Sequence, residues 1–219
     1  MAPNYRERVR VHPEPRWPAS LALLACVGLY VVLPNRLDIG PRWLIPALIM
    51  LALIPLSARR HRHPDDSPLV RQLCLTLITL VTVANVTSMI LLVRRLLDTS
   101  VSQGRALIYS AVSVWLTNVI IYGVWFWEID RGGPTRRAAG DTDVFDLQFP
   151  QMENPQLAPK DWRPKFTDYL YTSFANGTSF APADAMPLTR RMKILFVTES
   201  MVSLITIAVV AARAVNILK

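Results

Sequence analysis

Cysteine, histidine and lysine are scarce in this chain, and each shortage removes a class of chemistry. The two cysteines, Cys26 and Cys74, both fall inside apolar runs, away from C-x-x-C or any other ligand spacing. They read as small core residues rather than metal ligands. Of the three histidines, two lie in "HRHPDD" at 61–66. An H-x-H spacing alone does not specify a metal site, and the segment reads as a solvated charged loop. Asp141, Asp143 and Asp146 lack the glycine turn and terminal Glu of a calcium-binding loop. There is no phosphate-binding glycine loop, no H-E-x-x-H and no G-x-S-x-G. No catalytic activity, metal or cofactor is therefore expected. Lysine occurs 4 times against 20 arginines, an excess that points to a GC-rich bacterial genome.

Charge is also absent from long stretches, and what fills them decides the class. Hydrophobic residues make up 52% of the 219, and mean hydropathy is +0.28. Five apolar runs occupy roughly 17–34, 41–58, 69–93, 106–127 and 192–218. Each approaches the ~20 residues a helix needs to cross ~30 Å of hydrocarbon. They are too long and too unalternating for barrel strands. The expected fold is all-α: a polytopic membrane protein with five transmembrane helices. The first run follows a basic leader but ends in Pro34-Asn35-Arg36 without a small-x-small site, so it reads as a span rather than a cleaved signal.

Composition divides the chain into a polar leader at 1–16, a four-span bundle at 17–127, a Gly-, Pro- and Asp-bearing polar linker at 128–163, and a final module at 164–219. The net charge of +8 sits in the segments between spans, so it marks topology rather than nucleic-acid binding. Alternate segments carry 17 of the 24 Lys and Arg. The positive-inside rule then places the N-terminus in the cytoplasm of a bacterium, with the chain multi-pass in the inner membrane.

The final module raises the functional question. "KFTDYLYTSFA" at 165–175 can form three helical turns, too few to span, and segments of that length are re-entrant or interfacial. The expectation is a helix from Phe166 to Phe174, a break at Asn176–Gly177, and Thr178–Phe180 below the membrane surface against the last span. Gly177, Thr178, Ser179 and Asp184 would supply carbonyls, hydroxyls and a carboxylate to a small cation. On the last span, Glu199, Ser203 and Thr206 share one face by i, i+4, i+7 spacing. A carboxylate there costs roughly 2.5–3.5 kcal/mol to insert, so Glu199 should face protein or water. Asn85 and Asn118, on the third and fourth runs, are its candidate partners. A stripe facing water would mean a pathway; a stripe paired with those asparagines would mean helix–helix glue.

The pieces "FDLQFP", "DYLYTSF", "GTSFAPAD", "TRRM" and "AVNIL" make residues 105–218 resemble a bacterial family of predicted inner-membrane proteins that has no assigned activity. More loosely, the order of span, short helix, polar loop and span resembles the pore module of two-span potassium channels. The Gly-Tyr-Gly filter of those channels is missing, since Gly177 stands alone, so potassium selectivity is not implied. The resulting expectation is a channel-like membrane protein passing a small cation, with bilayer lipid and further copies of itself as partners. The alternative is a non-conducting membrane scaffold that binds protein partners or lipids.

Overall fold

The computed structural model describes residues 14–15, 17–32, 47, 50–51, 68–97, 104–139, 144–160, 162–179 and 185–217. It is mostly helical. Helix α1 spans Trp17–Val32, α2 Pro68–Leu97 and α3 Gly104–Ile129. A 3-10 turn at Asp130–Gly132 leads to the short α4, Pro134–Ala139. Strand β1 (Leu147–Gln148), α5 (Pro150–Glu153) and a 3-10 turn at Pro155–Leu157 follow. Helix α6 covers Phe166–Ser179, β2 Met186–Pro187 and α7 Arg190–Ile217.

Among the described residues, three helices are long and apolar enough to cross a membrane: α2, α3 and α7. Their side chains are sorted inside out. On α7 the exposed positions are Ile194, Val197, Met201, Leu204 and Ile207, while Glu199, Ser203 and Thr206 are buried. On α2, Leu73, Leu80, Val83 and Ile90 are exposed while Asn85 and Ser88 are buried. Polar groups turned inward and aliphatic groups turned outward fit a lipid surround. Of the five apolar runs, the first forms a 16-residue helix, about 24 Å long at 1.5 Å per residue. The second lies mostly outside the described residues; Ala47, Met50 and Leu51 are helical.

Helix α3 is the axis of the bundle, and α1, α2, α6 and α7 all pack on it. Phe126 stacks on Phe196 of α7 at 4.6 Å between ring centroids, and Trp127 meets Phe166 of α6 edge-on at 5.8 Å. Gly123 faces Leu170, whose Cα would stand 3.1 Å from a β-carbon at that glycine. The absent side chain lets the two helix backbones approach. Farther along, Trp115 Nε1 donates to Gly177 O at 3.3 Å. Helix α6 thus runs antiparallel to α3.

The expected break at Asn176–Gly177 is wrong: α6 continues to Ser179. A glycine inside a helix costs only about 1 kcal/mol against alanine. Here Gly177 is buried, and a β-carbon on it would stand 3.1 Å from Ser203 Oγ and 3.4 Å from Val119 Cγ2. The residue serves close packing, not interruption. Asn176 is drawn into bonds with α7 and does not compete for its own backbone.

The described residues of 128–163, a polar linker by composition, carry folded structure. Arg131 (φ 51°), Gly132 (φ 80°) and Gly133 (φ 97°) reverse the chain past α3. Strand β1 then pairs antiparallel with β2, Leu147 opposite Pro187 and Gln148 opposite Met186. These short elements close one end of the bundle as a cap.

Candidate functional site

Two polar centres lie along the α3–α6–α7 contact. The first belongs to the cap and is charged. Asp130 is fully buried at the end of α3. Its Oδ1 accepts the backbone N–H groups of Asp146 and Leu147, each at 3.2 Å. Its Oδ2 accepts the Tyr169 hydroxyl at 2.6 Å and Arg131 Nε at 3.2 Å. Arg137 donates to the carbonyls of Trp127 (2.6 Å) and Asp130 (2.9 Å), supplying donors for terminal carbonyls of α3. Glu14 accepts from Trp127 Nε1 at 2.9 Å and Arg137 Nη2 at 3.2 Å.

Asp146, considered above as a cation ligand, is occupied by protein donors. Arg191 grips it in a bidentate pair, Nε at 2.7 Å and Nη2 at 2.6 Å, while Thr189 Oγ1 donates at 2.6 Å and Arg131 N at 2.9 Å. Burial alone would raise the Asp146 carboxyl, but the bonds from Arg191, Thr189 and Arg131 outweigh it and hold the group below the usual carboxylate range. A depressed carboxyl contributes stability above its unfolded value and loses it as pH falls through the folded one. Cap protection, read by hydrogen exchange of the Leu147 and Leu188 amides, should therefore stay constant near neutrality and fall only below the ordinary carboxylate range. Asp146→Asn should weaken the cap at neutral pH and flatten this acid dependence; an unchanged acid profile in the variant would place the sensitivity elsewhere.

The second centre is a polar seam deeper in the bundle. Helix α6 presents Ser173, Asn176 and Gly177 on one face by i, i+3, i+4 spacing, and α7 presents Phe196, Glu199, Ser200 and Ser203. Glu199 is fully buried. Its Oε2 accepts Asn176 Nδ2 at 2.7 Å, and its Oε1 is hydrogen-bonded to Ser173 Oγ. Asn176 Nδ2 also donates to Phe196 O at 3.0 Å, and Ser200 Oγ donates to Asn176 Oδ1 at 3.1 Å. Ser173 Oγ lies 2.7 Å from Val119 O on α3. Asn118 Nδ2 donates to Ser203 Oγ at 3.1 Å and to Glu199 O at 3.2 Å, and Asn85 Nδ2 donates to Asn118 Oδ1 at 3.4 Å.

Five of the eight site residues expected from sequence thus converge: Asn85, Asn118, Gly177, Glu199 and Ser203. Thr178 does not join them. It is exposed, and its hydroxyl donates back to Phe174 O at 2.8 Å. Ser179 is the last residue of α6, and Asp184 lies outside the described residues. The carboxyl of Glu199 is met by Ser173 and Asn176; Asn118 of α3 bonds its backbone carbonyl and Ser203 instead, and Asn85 of α2 reaches only Asn118.

Asn176 was missed because the expected helix ended at Phe174, and Ser173, inside that helix, because its face was not followed; helical spacing from Tyr169 puts both on the buried side. Asp130 and its ring of donors were also missed. Among the described residues, no group of three or more His, Cys, Asp and Glu side chains is arranged to hold a metal ion. Comparison with family profiles, curated proteins and solved structures yields no match.

Proposed function

We propose that the chain is an integral membrane protein whose residues 166–187 form a channel-like re-entrant segment, sealed within a single copy, so that it acts as a non-conducting scaffold for protein partners or lipids. The observation that carries this reading is one of depth. Phe166 packs on Trp127, and β2 pairs with β1, which bonds to Asp130; both flanks of α6 are thus held at the same end of α3. Between them Gly177 lies beside Trp115 and Val119. Trp115 and Trp127 are about 18 Å apart along a helix rising 1.5 Å per residue. Helix α6, with 14 residues, covers about 21 Å, short of a ~30 Å core.

The seal is the seam itself. The polar stripe on α7 is bonded to α3 and α6, which is the pairing expected of helix–helix glue. An open apolar groove lined by Leu116, Ile120, Leu170, Tyr171 and Phe174 runs between α3 and α6 and suits a lipid chain. The orientation follows from the charge bias, with the N-terminus in the cytoplasm of a bacterial inner membrane. A second reading, passage of a small cation, is favoured by the exposure of Thr178 near the end of α6 and requires several copies to enclose a path.

Phe174 is 47% exposed and Met186 57% exposed. If α6 is embedded, an aqueous membrane-impermeant thiol reagent should label Met186→Cys quickly and Phe174→Cys hardly at all, in a background lacking Cys26 and Cys74. Equal, fast labelling of both would make the segment a surface hairpin. In liposomes the purified protein should pass no more cation than empty vesicles. Flux abolished by changing Thr178 would establish the second reading.

A further inference from the structure

We infer that Glu199 is a proton-binding site: its carboxyl is the acid form in this fold, with the proton on Oε1 linking α7 through Ser173 to α3. A count of hydrogens requires the proton, whether or not α6 is embedded from one side. A serine hydroxyl has one hydrogen to give, and a backbone carbonyl can only accept. Ser173 Oγ touches two oxygens, Val119 O at 2.7 Å and Glu199 Oε1. Were Glu199 a carboxylate, both would be acceptors and one contact would hold no hydrogen. Two bare oxygens at that separation repel.

Asn176 cannot supply the missing hydrogen. Both hydrogens on its Nδ2 are committed, to Phe196 O at 3.0 Å and to Glu199 Oε2 at 2.7 Å. Turning the amide over would set its oxygen against the Phe196 carbonyl. The consistent assignment runs one way: Glu199 Oε1–H donates to Ser173, Ser173 donates to Val119 O, and Asn176 donates to Oε2.

The surroundings agree. Tyr122 on α3 interacts with the carboxyl and its hydroxyl donates to Thr198 Oγ1 at 3.0 Å, while the Tyr169 hydroxyl on α6 is turned to Asp130. From α2 the seam receives Asn85. On α7 no other charged residue lies between 194 and 212. No Lys, Arg or His among the described residues pairs with Glu199. The carboxyl also lies beside the C-terminal half of α6, the negative end of a helix dipole, where an anion is disfavoured.

Release of the proton breaks the Oε1–H bond, leaves the electron pair on the carboxylate and gives H⁺ to water. Ser173 must then turn its hydrogen to Oε1, and Val119 O loses its bond from α6 while keeping its place in the α3 helix ladder. One tie between α6 and α3 is exchanged for a buried charge, so α6 should loosen as the proton leaves.

The test uses the full-length protein in liposomes with isotopically labelled glutamate. At neutral pH its infrared spectrum should contain the carbonyl stretch of an un-ionised carboxylic acid, absent in Glu199→Gln and retained in Glu128→Gln. The amide of Glu199→Gln can donate to Ser173 and accept from Asn176, so this variant should fold and keep α6 protected. In alkali, α6 amide exchange in the natural protein should rise more steeply than base catalysis alone requires, while Glu199→Gln should follow base catalysis alone. A spectrum without the acid band overturns the proposal, and so does an identical alkaline response in Glu199→Gln. Should that variant not fold, the band in the natural protein and its survival in Glu128→Gln decide the matter.

Discussion

Asp130→Ala should destabilise the protein more than any other single truncation in the cap, by about 3–5 kcal/mol, the range seen when one partner of a buried charged network is removed. The carboxylate is fully buried and accepts two backbone amides, the Tyr169 hydroxyl and Arg131 Nε. Its loss strands the two amides and the Tyr169 hydroxyl at once and removes the acid that Arg131 Nε pairs with. Asp130→Asn should be milder, because one oxygen remains to accept, though the amide nitrogen turns a donor toward other donors. Thermal unfolding in detergent would show the order natural > Asn > Ala. Limited proteolysis should open the chain between α4 and α6 first. A melting temperature for Asp130→Ala equal to that of the natural protein would mean that this network does not hold the cap.

The second large effect is expected at Gly123. A side chain there meets Leu170 Cα and Cδ1, each at 3.1 Å from the β-carbon. The methyl of Leu170 can rotate away, but the α-carbon cannot, so α6 itself must move. Overpacking of this kind costs roughly 1–3 kcal/mol, and Gly123→Leu belongs at the top of that range, with Gly123→Ala below it. Separation of the helices should also break the contact between Trp115 Nε1 and Gly177 O and the edge-on packing of Trp115 against Phe174 at 5.8 Å. Tryptophan fluorescence and melting temperature would follow it. Gly28 provides the control: nothing lies within 4 Å of its β-carbon position, so Gly28→Ala should leave the contact intact. Equal effects at both glycines would show that helix propensity, not contact, was being measured.

The three long helices were legible because a membrane span is written in a continuous run, and apolar composition alone reveals it. Convergence of Asn118, Glu199 and Ser203 was partly legible too. Helical spacing placed Glu199 and Ser203 on one stripe, and insertion cost required the carboxylate to turn inward. The contribution of α6 was hidden by one residue. Read as a helix breaker, Gly177 ended the pattern before Asn176, yet its missing side chain is what lets α6 approach Ser203. The cap was hidden for another reason. Its elements are two to six residues long, too short for periodicity, and its order comes from partners far along the chain: Asp146 with Arg191, Asp130 with Tyr169. Three of these, Asp146, Tyr169 and Arg191, do lie within the quoted pieces FDLQFP, DYLYTSF and TRRM, which the fold brings to one place around Asp130.

The pairing of β1 with β2 has a bearing on how the protein is made. Helix α6 is synthesised before any residue of α7, and the partners of Ser173 and Asn176 on α7, together with Arg191, come after it in the chain. A nascent chain ending at Ser179 would have α3 to lean on but neither the strand that closes the cap nor the helix that completes the seam. Seating of α6 must therefore wait for the last span to be inserted. Chains truncated ahead of Met186 should expose α6 to quality-control proteases, however well the earlier helices have been integrated.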